Sequence, residues 1–373
     1  MEAVPALGPF LKWPGGKFQE LPAIAAAAPS LIGRLIDPFV GGGSILFATP
    51  VEVPALVNDA SPDLIGLYTG AASEDPAFRS AVLGIARAWD GFASHRALYD
   101  GLVHAFERDA PAETVATVTR FEGELRACLD PAGPPLSDLF MGRVGRDVVA
   151  KFARMHQVEV RVGRRLSQED MLANIEGAVR SSLYMSVRTR YNAARLAGHR
   201  NMHRLADFFL IREFAYAAMF RFNAHGQFNV PYGGVTYNHK SLAGKALHLF
   251  SPALIARLAS TEFHCLDFEP FLADARLTPT DFVFVDPPYD TDFSAYDNRS
   301  FDAADQRRLE AVLAEVPSRV MVVIKDTPGI RGLYDPDRWR IAEADKTYAW
   351  TIKSRNDRAA THLTITNYEP DSA

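Results

Sequence analysis

The sequence predicts an α/β chain: a mainly parallel, doubly wound sheet that ends in an antiparallel hairpin and is interrupted by a long, mainly helical insertion. Brief apolar runs rich in β-branched or aromatic residues occupy 34–39, 54–59, 261–267, 281–286 and 319–325. They alternate with helical stretches such as 303–315, and a sheet of this kind places ligands outside the carboxyl ends of its strands. Between the second and third runs, residues 70–220 are helical by pattern, with a Pro/Gly break at 131–135. At the end of the chain, 347–352 and 361–368 alternate apolar and polar residues and predict the hairpin. The expected domains are therefore a discontinuous one, 1–69 with 246–373, and an inserted one, 70–245.

The 373 residues are 48% apolar and include 24 Phe, enough for roughly two folded domains. No run approaches the apolar length of a spanning helix, and the N-terminus lacks the basic start and apolar stretch of a signal peptide, so the expectation is a cytoplasmic protein with no membrane partner. Cys128 and Cys265 lie far apart without metal-ligand spacing. His199 and His203 have helical ligand spacing but no third ligand in view, and no metal is expected.

A net charge of −5 argues against a nucleic-acid partner only until it is resolved along the chain. Residues 52–142 hold 14 acidic and 6 basic side chains, whereas 143–213 hold 14 basic and 7 acidic ones. The basic stretch includes Arg188 and Arg190, interleaved with Tyr184 and Tyr191, a composition suited to phosphates and stacking.

Four motifs carry candidate chemistry. In DPFVGGGSILF, 37–47, a strand ending at Asp37 runs into Gly41 and Gly43 and then into helix, which lets backbone approach a ligand closely. The dinucleotide fingerprint is incomplete, because Leu46 stands at the third glycine position, so an adenosyl ligand without phosphates fits better. Asp59 ends the next strand, where a carboxylate accepts both ribose hydroxyls. In VFVDPPYD, 283–290, Pro287 and Pro288 cannot extend the strand. They freeze a turn that aims the Asp286 carboxylate and the Pro287 carbonyl at one point, with Tyr289 as an aromatic wall, an arrangement suited to a planar group bearing NH2.

In LKWPGGK, 11–17, a turn places Lys17 at the start of a helix over 18–28. A cation gains nothing there from the helix dipole, so the carboxylate of a bound amino-acid moiety is its expected partner, with Trp13 nearby. In RFNAHGQFNVPYGG, 221–234, a short hairpin presents Arg221, Asn223, Gln227 and Asn229, residue types that reach phosphates and base edges.

Together and in this order, LKWPGGK, DPFVGGGS, NDASPDLIGLY, RFNAHGQFNVPYG and DPPY resemble the Dam-like class of DNA adenine N6-methyltransferases. The resemblance covers about 8–68, 209–300 and 343–369 and is weak across 70–208. It implies a Rossmann-like methyltransferase sheet with an inserted target-recognition domain. It also implies S-adenosylmethionine over the glycine turn, with Trp13 and Lys17 at its methionine end, Phe39 beside it, Asp59 on the ribose, and Asp267 and Phe268 at its adenine. Asp286, Pro287, Pro288 and Tyr289 would receive a flipped-out adenine of duplex DNA. A cognate restriction endonuclease is a candidate partner. Competing readings are an amino methyltransferase acting on cytosine N4, RNA or protein glutamine, and a DNA-binding relative without turnover.

Overall fold

A computed structural model describes residues 7–288, 301–347 and 359–370. The chain divides into two compact units. The first comprises Met1–Pro9, Gly15–Ser73 and Pro252–Ala373, and the second Phe10–Pro14 and Glu74–Ser251.

The first unit is built on a mixed sheet. Its described strands are β1 (Leu35–Asp37), β2 (Ala55–Asn58), β3 (Thr261–His264), β4 (Phe282–Val285), β5 (Arg319–Lys325), β6 (Arg340–Thr347) and β7 (Ala359–Thr366), in the order β3-β2-β1-β4-β5-β7-β6. The first five are parallel, and β7 runs antiparallel to both β5 and β6. Strands β1, β2 and β4 are buried along their whole length, which is why their sequences read as unbroken apolar runs rather than alternating ones. Ile36, Leu56, Val283, Val285, Val320, Val322 and Ile324 enter one core cluster with Phe271, Leu309 and Leu313 from flanking helices.

Strand order reverses at β1, which pairs with β2 on one side and β4 on the other, the topological position at which open α/β sheets bind ligands. The helices of this unit that precede the second are α1 (Leu21–Ala27), α2 (Ser44–Ala48) and α3 (Pro62–Ala72). Ser61 caps α3 by accepting from Leu64 N.

The second unit is helical: α4 (Pro76–Gly91), α5 (Arg96–Glu107), α6 (Pro111–Arg120), α7 (Glu122–Leu129), α8 (Leu136–Val162), α9 (Gln168–Leu196), α10 (Met202–Phe214) and α11 (Leu242–Leu249). On α8 the buried residues Leu136, Phe140, Val144, Val148, Phe152 and Met155 recur one helical turn apart and form a single apolar stripe. Gly163, at φ 72°, ends α8, and Ser167 caps α9 through Asp170 N. The chain then returns to the first unit with α12 (Pro252–Ala259), α13 (Phe268–Asp274), α14 (Ala303–Glu315) and α15 (Pro328–Arg331). Among the described residues, no helix is long and apolar enough to cross a membrane.

Three expectations are corrected. The first helix spans Leu21–Ala27 rather than 18–28, which leaves Lys17 in the preceding turn. Strand β3 stops at His264, and Asp267 instead caps α13 by accepting from Glu269 N. Strand β6 begins at Arg340, well before 347, and 348–352 lie outside the described residues. Its sequence RIAEADKT is charge-rich because it forms the sheet edge, and pairing with β7 rather than intrinsic propensity defines it.

The basic stretch is also reassigned in part. Arg180, Arg190, Arg204 and Arg212 are buried. Arg190 Nε and Nη2 lie 2.8 and 2.6 Å from the two carboxylate oxygens of Asp207, and Nη1 donates to the carbonyls of Ala132 and Gly133. Burial pushes Asp207 up to about 6 despite that partner. Breaking a buried pair leaves an uncompensated charge. Arg190→Ala is therefore expected to lower the unfolding free energy by about 3–5 kcal/mol in denaturant titration, an effect that a DNA-contacting surface arginine would not produce.

Candidate active site

The carboxyl ends of β1, β2 and β4 deliver Asp37, Asp59 and Asp286 to one region of the first unit. After β1, Val40 N donates to Asn58 O at 2.9 Å and Gly41 N to Asp59 Oδ2 at 3.1 Å, which fastens the glycine turn to the end of β2. Tyr68 Oη donates to Gly41 O at 2.8 Å. Gly41 and Gly43 both have positive φ, 48° and 74°, and Gly43 is the N-cap of α2. A Cβ on Gly43 would lie 2.6 Å from Phe47 Cε2 and 2.9 Å from Tyr68 Oη.

Asp59 holds two backbone donors, Gly41 N and Ser61 N, the latter at 2.8 Å to Oδ1. Burial nevertheless pushes its carboxyl up to about 6. Asp37 is buried and accepts from Phe39 N at 3.0 Å. Burial, and then the charges of Asp286 and Asp59, raise it well above the usual carboxylate range. Lys17 is 2% exposed, and its Nζ lies 2.6 Å from Asp286 Oδ1 and 3.2 Å from Gly15 O. The structure thus gives Lys17 a protein carboxylate where the sequence suggested a ligand carboxylate.

A second group of side chains lies beyond β3. Phe39, Phe268 and Phe301 form an aromatic trio with ring centres 5.6–5.8 Å apart. Asp267 accepts from Arg308 Nη2 at 2.8 Å, and the same guanidinium lies 4.4 Å from the centre of the Phe268 ring. Asn58, fully buried, donates to Pro38 O and Leu266 O and accepts from Leu266 N, so one side chain stitches the loop after β1 to the loop after β3. Gln306 Nε2 reaches Pro288 O at 3.4 Å.

Tyr289 lies outside the described residues. Trp13 belongs to the helical unit. Its ring is 5.4 Å from Phe220 and lies against the Arg212 guanidinium, which also donates to Lys12 O. Arg188 Nη1 donates to Val230 O and so braces the 221–234 segment from α9. In that segment Phe222 and Phe228 form an antiparallel bridge, Asn223 N donates to Gln227 O, and Gly226 takes φ 70°. Asn223 Oδ1 accepts from His225 N and Gln227 N, its Nδ2 reaches Gln227 Oε1, and the exposed Arg221 donates to Asn229 Oδ1. Asn223 therefore shapes the loop, while Arg221 stands at its surface.

Sequence reasoning missed Asn58, Phe301, Gln306 and Arg308. Asn58 is visible in hindsight, since a polar residue closing a wholly buried strand needs partners. Arg308 and Gln306 sit on an ordinary amphipathic helix and give no local signal.

Comparison with known proteins identifies the family. Residues 13–85 and 163–349 match the family model of the D12 class N6 adenine-specific DNA methyltransferases. The chain is 23% identical to the type II methyltransferase M1.LlaDCHI of Lactococcus lactis subsp. cremoris over 97% of its own length and 96% of that protein. It is 26% identical to the retron Ec67 DNA adenine methylase of Escherichia coli, over 87% of this chain and 79% of the relative. With a DNA adenine methylase of Vibrio cholerae it shares 22% identity, over 93% and 92% respectively.

The crowding at Gly43 makes a direct test of the turn. Gly43→Ala adds a Cβ at positive φ against Phe47 and Tyr68, and is expected to destabilise the first unit by about 1–3 kcal/mol, seen as a lower thermal midpoint.

Proposed function

Because the chain belongs to the D12 class of N6 adenine-specific DNA methyltransferases, we propose that it transfers a methyl group from S-adenosylmethionine to the N6 amine of a flipped-out adenine in duplex DNA, at the carboxyl ends of β1, β2 and β4. The observation that supports this site most directly is that β1 and β4 are parallel neighbours, so the glycine turn after β1 and the Asp286-Pro287-Pro288 segment after β4 leave the same edge of the sheet where the strand order reverses. On this reading the sheet is a Rossmann-like methyltransferase sheet and the helical unit is the target-recognition domain.

The donor set fits the cofactor. Asp37, Asp59 and Asp286 gather at these strand ends, with Lys17 paired to Asp286, a carboxylate-rich lining that suits a ligand bearing hydroxyl donors and a positive charge. On this reading Asp59 takes the ribose hydroxyls, Gly41 and Gly43 allow close backbone approach, and Phe39 with Asp267 and Phe268 take the purine. Lys17 is assigned to the orientation of Asp286, and Trp13 to the packing of the helical unit. When bound, S-adenosylmethionine supplies a methyl group activated by the sulfonium.

The N6 amine is a poor nucleophile because its lone pair is delocalised into the purine ring. Flipping the base out of the duplex costs a few kcal/mol, which stacking on Tyr289, worth about 1–3 kcal/mol, helps to offset. The Asp286 carboxylate and the Pro287 carbonyl accept from the amine and turn its lone pair toward the methyl carbon. As the nitrogen gains positive charge, the Asp286 carboxylate stabilises it without reorganising, because Lys17 already fixes Oδ1. Holding the two reactants in line contributes on the order of 7–11 kcal/mol. The proton leaves the nitrogen after transfer, when it has become acidic, and no separate general base is assigned.

For the duplex, Arg221 and the neighbouring Gln227 and Asn229 are the candidate base or phosphate contacts, joined by the exposed Arg146, Arg154, Arg161 and Arg164 at the phosphates. Arg190 is withdrawn from that set, and Arg188 and Asn223 act through the loop they hold.

Asp286→Asn keeps the shape of the side chain but removes the charge. At saturating cofactor, tritiated-methyl transfer to mixed-sequence DNA should fall by about 10²–10³ in kcat, with the fold checked by circular dichroism because the substitution neutralises the carboxylate beside buried Lys17. Methyl label recovered in cytosine, RNA or protein rather than in N6-methyladenine would overturn the assignment.

The pH dependence of cofactor binding follows from Asp59. Its carboxyl titrates at about 6 in the free protein, and a ligand that donates hydroxyls favours the ionised form, so binding releases a proton near pH 6. Affinity measured calorimetrically should be full above pH 7 and about tenfold weaker at pH 5, where only about a tenth of Asp59 is ionised.

A further inference from the structure

We propose that Arg308 is a positioning residue that makes the purine end of the cofactor site selective for a base carrying a 6-amino group, an inference that rests on the assignment of Asp267 and Phe268 to that end. The residue lies on α14, far in sequence from the loop after β3, and meets Asp267 and Phe268 together. Its Nη2 is 2.8 Å from Asp267 Oδ2, and its guanidinium carbon is 4.4 Å from the centre of the Phe268 ring. Asp267 Oδ1 accepts from Glu269 N at 3.1 Å, so each carboxylate oxygen is fixed by one donor.

An ionised carboxylate accepts hydrogen bonds and donates none. With both oxygens anchored, the remaining lone pairs of Asp267 hold one direction, and the group that meets them must be a donor. An adenine amine satisfies that demand, whereas the 6-carbonyl of hypoxanthine opposes lone pair to lone pair. Arg308 also gathers two further carboxylates, Asp305 Oδ1 at 3.1 Å from Nη2 and Glu269 Oε2 at 3.4 Å from Nη1. Without the cation, three like charges share one patch, and Asp267 turns away from the site. The planar fork matters as well as the charge, because only a guanidinium bonds a carboxylate and lies against an aromatic ring in the same pose.

The test is calorimetric binding of S-adenosylhomocysteine and of S-inosylhomocysteine to the full chain and to Arg308→Met and Arg308→Lys. The parent is expected to prefer the adenosyl form by at least about tenfold. In Arg308→Met the adenosyl affinity should drop by about tenfold with the inosyl affinity unchanged, bringing the ratio close to one. Arg308→Lys should recover part of the preference. Under saturating S-adenosylmethionine the Met variant should keep kcat within about twofold and show the change in KM.

A merely structural role lowers the thermal midpoint without moving the ratio, and an unchanged ratio in both variants overturns the proposal. Should Arg308→Met not fold, the ratio in Arg308→Lys decides alone. A parent that binds the two ligands equally refutes the selectivity while leaving the cofactor site in place. A parent that binds neither refutes the cofactor assignment itself.

Discussion

The Lys17 ammonium, buried and 2.6 Å from Asp286 Oδ1, ties the N-terminal segment of the first unit to the end of β4, 269 residues later. A lysine in that position is tolerable only with an anionic partner, since an unpartnered buried charge is costly to maintain. The surrounding sequence is built to deliver it. Gly15, at φ 77°, makes the turn that carries Lys17 inward, and Lys17 Nζ bonds back to Gly15 O. On the other side Pro287 and Pro288 deny the backbone the freedom to follow a rotating carboxylate, and Gln306 on α14 holds Pro288 O. The proposed acceptor turn is therefore braced by an ion pair, by ring-locked backbone and by a neighbouring helix. A group that must stabilise developing charge gains most from this kind of preorganisation.

The same strand ends gather buried carboxylates. Three parallel strands end in carboxylates because the topology brings their carboxyl ends together, and burial lifts Asp37 and Asp59 above their ordinary range. Elsewhere the chain obeys local rules: Ser61, Asp75, Ser167, Asn201, Ser241, Asp267 and Asp302 each cap the helix that follows. Against that background, the buried carboxylates gathered at one set of strand ends are the feature on which the proposed site rests.

Much of this was legible in the sequence, and the limits have physical causes. Strands β1, β2 and β4 were visible because strands buried on both faces leave apolar runs bounded by Gly, Pro or Asp. The glycine turn was visible because positive φ at Gly41 and Gly43 needs that residue type. Strand β6 was not, because an edge strand is defined by its partner and tolerates charge. Arg308 and Gln306 were hidden for a related reason. Each is unremarkable on its own helix, and its role exists only through the loop it meets across the fold.

Charge shows most plainly what a window along the sequence measures and what it leaves out. The excess of seven basic residues in 143–213 counts Arg180, Arg190, Arg204 and Arg212, all buried, along with Arg143, which pairs with Asp147 one helical turn away. These side chains hold the helical unit together: Arg180 bonds Trp89 O, Arg190 clamps Asp207 and the carbonyls of the 131–135 break, and Arg212 ties Lys12 and Met219. Arginine suits that task because its five donors are presented in a fixed fork and its flat face packs on aromatic rings. The surface share of the excess is smaller, with Arg146, Arg154, Arg161, Arg164 and Arg165 on or just beyond α8 and Arg200 before α10, while Arg221, beyond that window, stands exposed at the base of a braced loop. On the proposed reading, in which this unit meets the duplex with few phosphate contacts, discrimination would rest on a rigid loop more than on charge. The hydrogen bonds that Arg188, Asn192, Arg195 and Asn223 make within or onto the 221–234 segment provide that rigidity.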